Sequence, residues 1–123
     1  MPAKTTKTTK ATLRVRISGA DAHYAGGLAS GAKVMELFGD AATEILIRHD
    51  GDEGLFRAYQ NVEFLAPVKA GDFLEVTAEL TSKGNTSREM TFQAVKIIEG
   101  SSMRLLTKPL LVAKAKGTCV VKK

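Results

Sequence analysis

LASGAKVMELFGDAATEILIR, Leu28 to Arg48, is the stretch whose reading decides the fold. Its apolar residues fall at 28, 34, 35, 38, 41, 42 and 45, a helical period that gives one apolar flank and a helix long enough to cross a domain. Ahead of it, ATLRVRISG alternates Leu13, Val15 and Ile17 with Arg14, Arg16 and Ser18, the two-residue period of a half-buried strand. Behind it, HDGDEG (His49 to Gly54) reads as a turn. Strand-like runs then follow: LFRAYQNVEFLAPV, DFLEVTAELTSKG, TSREMTFQAVKII and RLLTKPLLVAKAKGTCVV. KAGD, KGN and EGSS separate them with glycine and small polar residues.

The order is one strand, one long helix, then four or five antiparallel strands. A single helix cannot cover both faces of such a sheet, so the sheet must curl around it. The expected class is α+β: a hotdog domain, with a curled antiparallel five- or six-stranded sheet around one long helix. Open strand edges rich in Val, Phe, Leu and Ile favour pairing into a dimer. In such a dimer the site lies where one chain's helix entrance meets the partner's sheet. Residues 1–10, MPAKTTKTTK, are polar and low in complexity and are expected to form a disordered basic tail, leaving 11–123 as the domain.

The net charge of +5 hides an uneven distribution. Residues 1–16 and 104–123 hold eleven bases and no acid, whereas 17–103 holds all 13 acids against seven bases. A basic rim on an acidic body, with only seven aromatics and none interleaved with the basic runs, does not fit a nucleic-acid binder. No run of about 18 apolar residues offers a membrane span, and the basic N-terminus has no apolar segment behind it. The expected setting is cytoplasmic. A lone Cys119 in the apolar GTCVV reads as a packed thiol, since no His or acid lies near it in sequence. One Cys and two His are too few for a structural zinc site within one chain, so no metal is expected.

Several residues could carry chemistry. Gly26, Gly27 and Gly31 precede or open the helix, where positive φ and free N–H groups could receive a ligand oxygen or simply make a tight connection. His23 is either a solvated cap or a proton carrier near neutral pH. Tyr24 either packs its ring or donates from its hydroxyl. Glu36, Asp40 and Glu44 fall at i, i+4 and i+8 and share a helix face, which is either a wet flank or an anionic strip for a cation. Glu63 is a charge inside the apolar run NVEFLAPV, either exposed or held between chains.

The segments DAHY, FGDAATE, DGDEGLF, VEFLAPV and GNTS, in that order and spacing, together resemble the hotdog-fold ammonia-lyases acting on 3-aminoacyl-CoA. The resemblance is dense over residues 13–98 and resumes at GTCVV. It is strongest to members acting on 3-aminobutyryl-CoA in lysine fermentation, with beta-alanyl-CoA ammonia-lyases more distant. FLAPVKAGD and KGNTS also resemble hotdog acyl-CoA thioesterases, which fits a shared scaffold and not a shared reaction. The chain departs from the family pattern at the site entrance, with Gly27 in place of a usual Asn and Ala29-Ser30 in place of Val-Asp.

The resemblance implies reversible elimination of ammonia from a 3-aminoacyl-CoA, giving an enoyl-CoA such as crotonyl-CoA. A thioester already acidifies its α-proton, so no cofactor is implied beyond the coenzyme A of the substrate. The implied catalytic groups are Asp40 and Glu63, as base and ammonium-orienting group in unassigned order, with His23 as reserve proton carrier. Tyr24, Gly26, Gly27 and Glu44 are the implied substrate contacts, the two glycines supplying N–H donors to the enolate. Lys69, Lys83, Asn85, Thr86, Ser87 and Arg88 are expected to meet the coenzyme A moiety. The partners implied are an acyl-CoA and at least a second copy of the chain, with tetramers or hexamers of hotdog dimers open, and neither nucleic acid nor membrane. Rival functions are an acyl-CoA thioesterase and a non-catalytic acyl-CoA-binding dimer.

Overall fold

The computed structural model describes residues 9–22 and 24–122. The local signals resolve into five strands and one long helix: β1 (Lys10–Arg16), α1 (Gly31–Asp50), β2 (Leu55–Phe64), β3 (Phe73–Lys83), β4 (Ser87–Glu99) and β5 (Arg104–Val120). The expected tail, residues 1–10, lies outside the described residues up to position 8.

Both helix ends differ from the sequence expectation. Leu28 and Ala29 are not helical, because their backbone pairs with the segment after β2: Ala29 N–H donates to Val68 O at 2.8 Å, and Leu28 bridges Lys69. Ser30 therefore becomes the N-cap. At the other end α1 continues through His49 and Asp50 until Gly51, which adopts φ 71° and returns its N–H to Ile47 O at 2.9 Å. Arg48 and His49 occupy the last turn, where the helix dipole favours cations.

The sheet order is β1-β3-β4-β5-β2, with every neighbouring pair antiparallel. β1 and β2 are the two edges. The helix lies on the inner face against β1, β2, β3 and β4. It buries Val34, Leu37, Phe38, Ala41, Ala42, Ile45 and Leu46, against inward residues such as Leu74, Val76, Met90, Phe92 and Ala94. Phe38 and Phe92 stack with centroids 5.3 Å apart. Alanines at 41, 42, 78, 94 and 113, all fully buried, keep the helix and sheet close. Deleting the Phe38 ring would remove contacts worth about 3–5 kcal/mol.

β4 has an inward row at every second residue: Arg88, Met90, Phe92, Ala94 and Lys96, all buried. The apolar middle is the core. Each end is a cation, and each meets a carboxylate from a different part of the chain, Asp50 for Arg88 and Asp72 for Lys96. Among the described residues no helix is long and apolar enough to cross a membrane.

Candidate functional site

The chain approaches α1 through a short 3-10 turn, Ala25–Gly27, in which Gly26 and Gly27 take φ 78° and 76°. A side chain would strain that left-handed backbone, so the glycines permit the reversal that brings Leu28 and Ala29 alongside the 65–72 strap. Two rungs join the segments: Ala29 N–H to Val68 O, and Ala70 N–H to Gly27 O at 2.9 Å. The strap leaves β2 because Leu65 and Ala66 turn their N–H groups to Val112 O and Pro67 has none to offer.

Between the strap and the start of α1 opens a cleft of about 510 Å³. Leu28, Val34, Phe64, Val68 and Val112 supply its apolar wall, and Tyr24, Ser30 and Gly31 lie at its polar end. The Phe64 ring lies so close over Gly31 that a Cβ there would stand 2.7 Å from it. Ser30 makes no side-chain capping bond; its carbonyl takes the Lys33 N–H at 3.1 Å, and its hydroxyl covers none of the first-turn amides of α1. An apolar cleft ending on the positive pole of a helix suits an acyl group whose carbonyl oxygen gains negative charge.

Tyr24 lines the cleft and is 60% exposed. Gly26 and Gly27 shape the approach but do not line the cleft, which is walled by Tyr24 before them and Leu28 after them. The two glycines, the expected donors, thus lie just ahead of the cleft, and Ser30 and Gly31 at the helix start line it. His23 lies outside the described residues.

Asp40 is exposed on the flank of α1 away from the sheet, nine residues beyond Gly31 and so about 13 Å along the axis. Glu63 pairs in register with Lys114, at 3.9 Å, and accepts from Asn61 Nδ2 at 3.4 Å. That places Glu63 on the outer face, while its neighbour Val62 packs against the core. Within one chain the two acids therefore stand on opposite sides of the sheet, and neither lines the cleft. Glu44 pairs with Arg48 at 3.0 Å, and Glu36 with Lys33 at 3.4 Å.

Lys69 is exposed at the cleft rim, next to Val68. Lys83, Asn85, Thr86 and Ser87 lie at the opposite end of β3, about 30 Å away along an eleven-residue strand. Thr86 O accepts from Val121 N–H, and Lys83 Nζ stands 3.1 Å from His49 Nε2. Arg88 corrects the expectation of a phosphate contact. It is 1% exposed, and its guanidinium donates to both Asp50 oxygens and to the carbonyls of Gly84 and Ser87. The charge is spent inside the fold.

Sequence reasoning missed Asp50, Asp72 and Lys96. The signal was present for the cations, because Arg88 and Lys96 share parity with the apolar residues of β4. Asp72 is held low: burial pushes it up, but the amides of Gly100 and Lys69 and the Lys96 ammonium outweigh that. Asp50 is also lowered, mainly by its hydrogen bond from Arg88 against the opposing effect of burial.

A sheet curled on one long helix, with an apolar cleft at the helix start, defines a hotdog protein. The chain belongs to the thioesterase superfamily, whose family model matches residues 26–98, and within it to the hotdog-fold 3-aminoacyl-CoA ammonia-lyase family. It is 53% identical over 120 residues to the 3-aminobutyryl-CoA ammonia lyase of Acetoanaerobium sticklandii, spanning 93% of this chain and 95% of that one. The solved beta-alanyl-CoA:ammonia lyase of Clostridium propionicum superposes with a TM-score of 0.87 at 33% identity, over 93% of this chain and 85% of that one. An acyl-CoA hydrolase of Staphylococcus aureus, solved with butyryl coenzyme A and coenzyme A, gives a TM-score of 0.78 at 22% identity, over 93% and 66%. That last likeness shows the fold alone.

Proposed function

We propose that this protein catalyses the reversible elimination of ammonia from 3-aminobutyryl-CoA, giving crotonyl-CoA. The observation that carries the reading is the 53% identity across nearly the whole chain to a lyase of that name. The cleft fits the chemistry. Its apolar wall suits a short acyl chain, and the amides at the start of α1 stand where a thioester oxygen would become an enolate.

Elimination also needs a base for the α-proton and an anion to orient the β-ammonium. Among the described residues lining the cleft there is no carboxylate. We therefore place the cleft at a seam between two copies of the chain, paired through the β2 edge. Asp40 then reaches the substrate from a helix flank bordering the seam, and Glu63 from the strand end beside Phe64. His23 remains the reserve proton carrier, and Tyr24 the contact at the polar end. Lys69 meets coenzyme A at the rim, while Lys83, Asn85, Thr86 and Ser87 meet it from the partner, since their own turn is too distant. Coenzyme A enters as part of the substrate, and the reaction proceeds in the cytoplasm.

Incubation with crotonyl-CoA and ammonium, following enoyl absorbance and free thiol together, tests the reading. Loss of absorbance without thiol supports addition of ammonia across the double bond. Thiol release points to hydrolysis, and neither signal leaves only binding. D40N and E63Q should each abolish addition while retaining coenzyme A affinity; normal turnover by both refutes the site.

A further inference from the structure

A buried charge pair lies directly beneath the strap that walls the cleft. Lys96 Nζ is 2.9 Å from Asp72 Oδ2 and donates to Pro67 O at 3.1 Å. Asp72, 1% exposed, also accepts from Lys69 N–H at 2.8 Å and Gly100 N–H at 2.9 Å. Pro67 and Val68 form part of the cleft wall, and Val68 and Ala70 carry the two rungs to the 27–29 segment. Three of these four contacts hold or lead directly into the strap, and the fourth ties it to the turn after β4.

The position has a physical reason. At Pro67 the strap has no N–H with which to continue a ladder, and the backbone bonds that hold it lie on either side, at Leu65–Ala66 and at Val68 and Ala70; a side chain from the sheet can fix its height at Pro67 itself. Lys96 does so by taking the Pro67 carbonyl. A methionine would fill the same space without bringing a charge into the core, but it could not make that bond.

We propose that Lys96 and Asp72 are positioning residues of the cleft: they set the strap, and through the strap's rungs they set the Gly26–Gly27 turn and the start of α1. For its catalytic consequence this rests on the lyase reading; for ligand binding it stands apart from it.

The test compares wild type, K96M and K96R with S-(2-oxopentyl)-CoA, a ketone analogue of a short acyl-CoA that can be neither hydrolysed nor aminated. Affinity is measured by calorimetry below each variant's melting temperature. K96M should bind about tenfold or more weakly and lose a similar factor in kcat/KM for ammonia addition, with K96R recovering most of both. A merely structural pair would lower the melting temperature alone. Affinity in K96M within about twofold of wild type, or K96R no better than K96M, overturns the proposal, as does a wild type that does not bind the ketone. If K96M does not fold, the D72N/K96M double variant, which strands no charge, decides by the same criterion. A wild type that binds the ketone but adds no ammonia refutes the lyase reading while the affinities still judge the pair.

Discussion

Arg88 and Asp50 form a two-point clasp, Nε to Oδ2 at 3.0 Å and Nη2 to Oδ1 at 2.8 Å, that ties the last turn of α1 to the start of β4. Their side chains are 1% and 11% exposed. Removing only the acid strands a buried guanidinium, so D50A should cost about 3–5 kcal/mol. Urea unfolding at neutral pH measures it. A loss below about 1 kcal/mol, the range of surface pairs, would mean the clasp is effectively solvated.

Acid should loosen the same clasp and the Lys96–Asp72 pair. Both aspartates are lowered in the folded state, while an unfolded aspartate titrates near pH 3.9. The stability they add is complete above that unfolded value and is lost as pH falls through the lower folded values. The urea midpoint should therefore hold steady from about pH 7 to 5 and decline below about pH 4. D72N should show a shallower decline, and an unchanged slope would remove Asp72 from the account.

Burial pushes the Cys119 thiol up to about 11, and the residue is 1% exposed. At pH 8 a thiol reagent should leave the native protein unlabelled and react with one equivalent per chain in urea. Rapid labelling without denaturant would show that β5 opens locally.

Gly39 lies inside α1 with open space around its missing side chain. In one chain, G39A should raise stability by about 0.5–1 kcal/mol, because alanine loses less backbone freedom in a helix. Thermal melting reads the change. A fall instead would show that a neighbouring subunit packs on this flank, beside Asp40.

The helix and four following strands were legible because burial leaves a local imprint, 3.6 residues in α1 and two in β1, β3 and β4. The helix start was misplaced by three residues at Leu28, whose backbone partners come from Val68 and Lys69, forty positions on. No local period carries that information. Asp40 and Glu63, the acids proposed on the family resemblance, have no such local signature of their place: the fold sets Asp40 on the helix flank and Glu63 across the sheet.

By itself, the sequence determined one helix, antiparallel strands and the turns between them, since each depends on neighbours a few residues apart. Its extended likeness to known lyases also determined the family. Tertiary structure alone decided that Arg88 is an internal clasp and not a phosphate ligand, and that Lys96 and Asp72 stand under the cleft. Alternation in a strand says which side of a residue is buried; only the completed sheet and helix say which distant group waits there to meet its charge.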